Sequence, residues 1–157
     1  MERSVIDRYE SGGLTLRRSV EGLSRADLLA RPGPGAWSIQ ELVIHMADSD
    51  AISIDRMKRM LTEEDPALLY ADESAYVDRL FCDDQTLEDA LVLFEVGRRQ
   101  FARVLRKLPD EAFERSGTHS KRGRIQLGEM VAAYVTHLDD HLVFLHAKRA
   151  NLGKPLS

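Results

Sequence analysis

Residues 34–50 read PGAWSIQELVIHMADSD, and this stretch shows where the second long helix of the chain begins. Proline and glycine end the preceding segment, because proline cannot continue a helix and glycine favours turns. Ser38 and Glu41 follow as a capping-box pattern, in which each side chain accepts a hydrogen bond from the backbone amide of the other residue. The stretch therefore predicts a helix that begins at Ser38 and continues to about residue 61.

Apolar residues recur at helical spacing on both sides of this stretch, and no segment alternates as a strand would. Because four long helices with short and medium connections make a four-helix bundle, the pattern predicts an all-α fold with no sheet of consequence. The long helices are predicted near residues 4–23, 38–61, 86–107 and 126–150.

Local signals refine these bounds. Gly12 and Gly13 interrupt the first helical pattern and indicate a kink or a late helix start. Thr86 is the predicted cap of the third long helix, and Pro109 ends it. The connection over residues 62–85 is the part that the pattern leaves open, with a short helix predicted near 73–81.

The composition narrows the function classes. The chain of 157 residues fits one domain over 1–157, and 43% hydrophobic with 31% charged residues is ordinary for a globular protein. A net charge of −4 argues against a nucleic-acid partner. No apolar run approaches the roughly 18 residues of a membrane span, and the charged N-terminus does not resemble a signal peptide. We therefore expect a cytoplasmic protein without a membrane or nucleic-acid partner.

The fourth helix carries the first functional signal, since residues 134–141 read YVTHLDDH. His137 and His141 are four residues apart on the same stripe as the apolar side chains, so their imidazoles project to one side of the helix. Two hydrogen-bonded core histidines and two metal ligands are both compatible with this pattern. A zinc protease of the H-E-x-x-H kind is disfavoured, because Leu138 stands where the catalytic glutamate would be.

His45 supplies a third candidate ligand from the second helix. Glu41 and Asp48 lie on the same face of that helix, on either side of the imidazole. In metal sites such carboxylates often orient a ligand imidazole by a hydrogen bond. The alternatives are a capping role for Glu41 and a solvated helix surface for Asp48.

These two stretches together resemble the DinB-like family, which includes relatives of the bacillithiol transferases and of the mycothiol-dependent maleylpyruvate isomerases. Residues 34–50 match the family's Trp-Ser-x-x-Glu-x-x-x-His-x-x-Asp motif, and residues 134–141 match its Tyr-x-x-His-x-x-x-His motif. The resemblance covers essentially the whole chain and implies a four-helix bundle of the DinB/YfiT-like kind. It also implies that His45, His137 and His141 bind one divalent ion, such as zinc or nickel.

The resemblance leaves the reaction open. A metal-dependent hydrolase and a transferase of a low-molecular-weight thiol are both compatible with it, and each would act on a small-molecule substrate. A non-catalytic bundle with a structural metal, or with a ligand-binding or regulatory role, is the alternative. A homodimer is a further expectation, because family members often pair.

Three other features attract attention outside the motifs. Cys82 lies in an acidic stretch that favours the plain thiol, and it is the only cysteine, so the chain cannot form an internal disulfide. Lys121, Arg122 and Arg124 form the one basic cluster, read either as a solvated loop or as a phosphate- or carboxylate-binding loop. His119 is placed in the same connection, where contact with the metal or a role as a base is the less favoured interpretation.

Overall fold

The computed structural model describes residues 2–156 and consists mainly of helices. Four helices are long: α1 (Ser4–Ser19), α3 (Ile39–Thr62), α5 (Leu87–Leu105) and α6 (Leu127–Asn151). The shorter helices are α2 (Arg25–Leu29) and α4 (Glu73–Arg79). Three short strands complete the fold: β1 (Ala67–Leu68), β2 (Ser116–His119) and β3 (Gly123–Gln126).

The long helices form a four-helix bundle, as the sequence predicts. Both α1 and α3 pack against α5 and α6, so the two N-terminal long helices lie across the bundle from each other. This arrangement places α3 beside α6, and those are the two helices that carry the candidate ligands. Within residues 2–156, no helix is both long enough and apolar enough to cross a bilayer.

Most helix starts follow from local hydrogen bonding. The predicted capping box at Ser38 and Glu41 is confirmed, and a second box joins Ser24 to Asp27 at the start of α2. At the start of α6, the amide of Gln126 donates to the Glu129 carboxylate at 2.9 Å. Thr86 occupies the N-cap position of α5, as predicted, but its side chain makes no cap hydrogen bond. The helix nevertheless begins at the next residue, with two carboxylates in its first turn that favour the positive end of the helix dipole.

The first helix corrects the interpretation of the two glycines. Helix α1 runs without interruption through Gly12 and Gly13, and it ends at Ser19, earlier than predicted. A Cβ atom at Gly12 would lie 2.5 Å from Nη1 of Arg98, and one at Gly13 would lie 2.9 Å from Cα of Glu95. The glycines therefore allow close approach of α5 to α1, and this packing outweighs their low helix propensity.

The connection before α6 also departs from the prediction, because it contains a small sheet. Strand β2 pairs antiparallel with β3, with His119 opposite Gly123, and β1 joins the other edge of β2 in parallel. Strands of two to four residues are too short for alternation to be visible in the sequence. The sheet ties the open 62–85 connection to the hairpin that leads into α6.

The apolar core forms two clusters, with polar side chains buried between them. One cluster uses α3 as far as Ala47 and α6 from Leu138 onward. The other uses α3 from Met57 onward and α6 as far as Val135. The buried polar layer between these clusters consists of Ser49, Asp50, Ser53 and Arg98. The candidate ligands adjoin this layer.

Candidate metal centre

The structure brings the three predicted histidines together, between α3 and α6. The Nε2 atom of His45 lies 3.4 Å from Nε2 of His137 and 3.2 Å from Nε2 of His141. The third separation, between the Nε2 atoms of His137 and His141, is 3.1 Å. Three imidazoles from two helices thus present the same nitrogen to one point.

Hydrogen bonding among the three rings cannot account for this arrangement. In a neutral imidazole each ring nitrogen is either a donor or an acceptor, never both. Three nitrogens that lie close to one another share only these two roles. At least two of them must therefore have the same role, and a donor that faces a donor, or an acceptor that faces an acceptor, forms no hydrogen bond. A cation at the centre removes the conflict, because all three Nε2 lone pairs then face a positive charge.

The separations also match a metal site. With metal–nitrogen bonds of about 2.0–2.1 Å, two ligand nitrogens lie about 2.9 Å apart at a right angle and about 3.3 Å apart at the tetrahedral angle. The observed range of 3.1–3.4 Å is close to the tetrahedral value. The residues present therefore fit a divalent ion of the size of zinc or nickel.

Burial keeps these imidazoles neutral, which is the state that binds metal. Burial, followed by the nearby imidazole of His141, lowers the pKa of His45 to about 4. Burial and the other two rings lower the pKa of His137 to about 4, although Glu73 opposes the shift. The pKa of His141 is lowered as well, mainly by burial. At neutral pH all three lone pairs are available without loss of a proton.

Glu73 is a fourth group at this centre, and the sequence did not single it out. It is the first residue of α4, placed there by the Asp72 cap. Its Oε1 atom accepts a hydrogen bond of 3.0 Å from Ser49, and its Oε2 atom lies 3.9 Å from Nε2 of His45. One carboxylate oxygen is thus anchored while the other faces the histidine nitrogens.

Of the two carboxylates that the sequence proposed beside His45, Glu41 is bound by other partners and Asp48 faces another cavity. Glu41 accepts from Arg31 at 2.6 Å and from the amide of Ser38 at 2.7 Å, so both of its oxygens are used at the start of α3. Asp48 lines a different cavity, beside the start of α5. Among the described residues, neither carboxylate hydrogen-bonds an imidazole, and the buried Nδ1 atoms of His137 and His141 have no partner.

A cleft of about 550 Å³ gives access to the centre. His137, Glu73 and Tyr134 line the part beside the histidine cluster, and the β2–β3 hairpin lines another part. The Trp37 ring, which does not line this cleft, lies 5.0 Å from the His45 ring and packs on the core. A small molecule therefore reaches the nitrogens from the cleft side.

The remaining sequence candidates lie outside the cluster. Cys82 is buried, and burial with three nearby carboxylates raises the pKa of its thiol, in keeping with the plain-thiol interpretation. His119 lies in β2, where its Nδ1 atom accepts from the amides of Lys121 and Arg122. It lines the cleft but does not belong to the group of histidines that converge.

The fold and the site together define the class of protein: a helical bundle with a candidate metal site made of three imidazoles from two helices. The chain belongs to the DinB superfamily, whose sequence profile matches residues 10–145. The match includes both histidine motifs and thereby confirms the resemblance seen in the sequence.

Individual relatives carry the same fold and a common description. A solved structure of YfiT from Bacillus subtilis, described as a probable metal-dependent hydrolase with an unusual four-helix bundle topology, superposes with a TM-score of 0.90. It is 27% identical, and the alignment covers 96% of this chain and 86% of YfiT. A relative from Oceanobacillus iheyensis, named as a proposed metal-dependent hydrolase, is 28% identical over 89% of this chain and 81% of its own length.

Proposed function

We propose that this protein is a metal-dependent hydrolase of a small molecule, with His45, His137 and His141 holding one divalent ion. The observation that carries the proposal is the convergence of three Nε2 atoms within 3.4 Å of one another at the end of an open cleft. The descriptions of the relatives support the hydrolytic reaction over a thiol transfer.

The donor set favours an open site. A closed structural zinc site usually has four protein ligands, and histidine or cysteine supplies most of them. Among residues 2–156, only these three histidines form a group with metal-ligand spacing. When bound, a divalent ion with three neutral ligands supplies Lewis-acid chemistry, which polarises a substrate carbonyl or phosphoryl oxygen and makes a bound water more acidic.

Glu73 is the residue of this chain that would accept a proton from the attacking water. Its Oε1 atom is fixed by Ser49, so Oε2 remains directed at the histidine cluster and is available to accept a proton. The same oxygen can then return the proton to the leaving group, since a carboxyl group acts as base and acid in turn. Glu73 thus complements the imidazoles, which are occupied as ligands.

Replacing this carboxylate should slow hydrolysis without removing the metal. We expect Glu73→Gln to lower kcat/KM of the zinc-loaded protein for 4-nitrophenyl acetate about a hundredfold, because general base catalysis typically contributes a factor of about 10²–10⁴. The amide oxygen of glutamine can still accept from Ser49, so the fold is retained. Metal content, measured by atomic spectroscopy, should equal that of the wild type.

Asp140→Asn is the matched control for that variant. Asp140 lines the same cleft, but no histidine nitrogen lies within 4.0 Å of its carboxylate among the described ion pairs. The control should retain activity within about threefold, as expected for a change of less than 1 kcal/mol. Loss of metal in Glu73→Gln would identify Glu73 as a ligand, and unchanged activity would exclude it as the base.

Cobalt substitution separates an enzyme from a structural metal. The visible spectrum of Co(II) depends on coordination number and ligand type, so added azide should change the bands of the cobalt-loaded protein if a position is open. A sulfur-to-metal charge-transfer band on addition of a simple thiol would favour the thiol transferase instead. A spectrum that no added ligand changes would mean a closed site, and the hydrolase proposal would then fail.

A further inference from the structure

The cleft has a second, basic part that the hydrolase proposal does not use. Arg56, Lys121 and Arg122 line it, together with His119 and Tyr70. The whole chain has a net charge of −4, yet the lining of this cleft has three cationic side chains against the two carboxylates of Glu73 and Asp140. A positive concavity in an acidic protein concentrates anions.

The hairpin that carries two of these cations is held against the cleft. The amide of Ser120 donates to the carbonyl of Leu68 at 3.1 Å, and the Ser120 hydroxyl accepts from the amide of Tyr70 at 3.0 Å. The Nζ atom of Lys121 lies 3.3 Å from the centre of the Tyr70 ring, which is a cation–π contact. These contacts join the exposed hairpin turn to the segment of residues 68–70, so that Lys121 and Arg122 lie at the wall of the cleft.

The donors in this part of the cleft are incompletely used. One nitrogen of Arg56 donates to the carbonyl of Leu69, but its buried Nε has no partner among the described residues. Arg122 makes no ion pair or side-chain hydrogen bond within residues 2–156. His119 accepts at Nδ1 from two loop amides, so its neutral form carries the proton on Nε2 as a further donor.

We propose that Arg56, Lys121 and Arg122 bind an anionic group, a carboxylate or a phosphate, of the small molecule whose reacting bond lies at the histidine cluster. The assignment of this molecule as substrate rests on the proposed hydrolase function, whereas the anion site itself does not.

The spacing of His45 and Arg56 along α3 indicates how far the anionic group of this molecule lies from its reacting bond. His45 and Arg56 are eleven residues apart on the helix, which separates their Cα atoms by roughly 16 Å along its axis. Ser49, four residues after His45 on the same helix, lines the cleft together with Glu73 and Tyr134. The anionic group therefore lies several bonds away from the reacting bond, where it orients the molecule without competing for the metal.

Titration of the ¹⁵N-labelled full chain with inorganic phosphate, followed by two-dimensional NMR, tests the site. Amide signals of residues 119–122 should shift both in zinc-loaded protein and in protein freed of metal and dialysed. Arg122→Gln should raise the dissociation constant for phosphate about fivefold, which corresponds to the upper end of the interaction energies measured for solvent-exposed charge pairs. Arg124→Gln is the matched control, because it removes the same charge from the same hairpin at a position that does not line the cleft.

Each other outcome overturns the anion site. Signals that shift only around residues 137–141 of the zinc-loaded protein would show that phosphate binds at the metal alone. If Arg122→Gln and Arg124→Gln weakened phosphate binding equally, the binding would reflect general attraction between the positive hairpin and any anion. Potassium chloride would then produce the same shifts. The absence of any shift would also exclude the site. None of these outcomes affects the hydrolase proposal, which the cobalt and Glu73 experiments test separately.

Discussion

Alanine at position 137 should abolish metal binding. The purified wild-type protein is expected to hold about one divalent ion per chain, and His137→Ala should hold almost none, because two imidazoles cannot replace three converging ligands. Chelation should also lower the melting temperature of the wild type. An ion at a hundred times its dissociation constant stabilises the folded state by about 2.7 kcal/mol, which corresponds to roughly 5–11 °C in a chain of this size.

The same helix provides the control for that experiment. His146→Ala removes an exposed histidine about two and a half turns after His137, and it should leave both metal content and the response to chelation unchanged. His45→Ala and His141→Ala should behave like His137→Ala. If all three variants retained the metal, or if the wild type bound none after incubation with zinc, nickel or cobalt, the histidine site would be excluded.

The convergence of His137 and His141 could be predicted from the sequence because a regular helix fixes their relative positions. A spacing of four residues places His137 and His141 on one face, and an apolar stripe predicts that this face points inward. His45 needed the family resemblance, since its own helix shows only one histidine near the apolar edge. Residues 38–61 alone do not predict that their helix packs beside the helix of residues 126–150.

Glu73 and the basic part of the cleft were not readable, because both depend on irregular connections. The position of α4 over the histidines is set by tertiary contacts, and periodicity carries no information about them. The Lys121–Arg122 pair was visible as a basic cluster. Its place at the cleft depends on the pairing of β1 with β2, which joins segments some fifty residues apart.

The interpretation of Gly12 shows a different limit. Its low helix propensity is a local property, and it predicted a kink or a late start for the first helix. The structure instead places the guanidinium of Arg98 against this glycine, where no Cβ would fit. The sequence did contain a relevant signal, because Arg98 falls on the apolar stripe of its helix between Phe94 and Phe101.

Arg98 connects all four long helices through one buried side chain. Its Nη2 atom donates to Asp50 on α3 at 2.8 Å and to the carbonyl of Tyr134 on α6 at 2.8 Å. Another nitrogen donates to the carbonyl of Tyr9 on α1 at 3.4 Å, and the guanidinium lies over the Tyr9 and Phe94 rings. The side chains of Arg98 and Asp50 are 0% and 1% exposed, so each charge depends on the other.

Removal of one charge from this pair should have the largest effect on stability of any single change considered. Arg98→Met should lower the free energy of unfolding by about 3–5 kcal/mol, because it leaves the Asp50 carboxylate buried without its partner. That loss corresponds to a fall of about 6–20 °C in melting temperature for a domain of this size. Circular dichroism on chelated protein would measure it without a contribution from the metal.

The double variant Arg98→Met with Asp50→Leu tells the ion pair apart from simple loss of packing. It removes both charges, so it should regain part of the stability lost in the single variant, as replacement of whole buried ion pairs often does. Arg99→Met is the control, since the Arg99 side chain is 49% exposed and lies 3.6 Å from Glu95. The stability of this variant should stay within about 0.5 kcal/mol of the wild type.

A double variant no more stable than Arg98→Met would show that the contacts of Arg98 with Tyr9, Phe94 and Tyr134 dominate. Because the Tyr134 carbonyl lies one turn before His137, those contacts would also position the imidazole of this proposed ligand, and metal affinity would then fall in both variants.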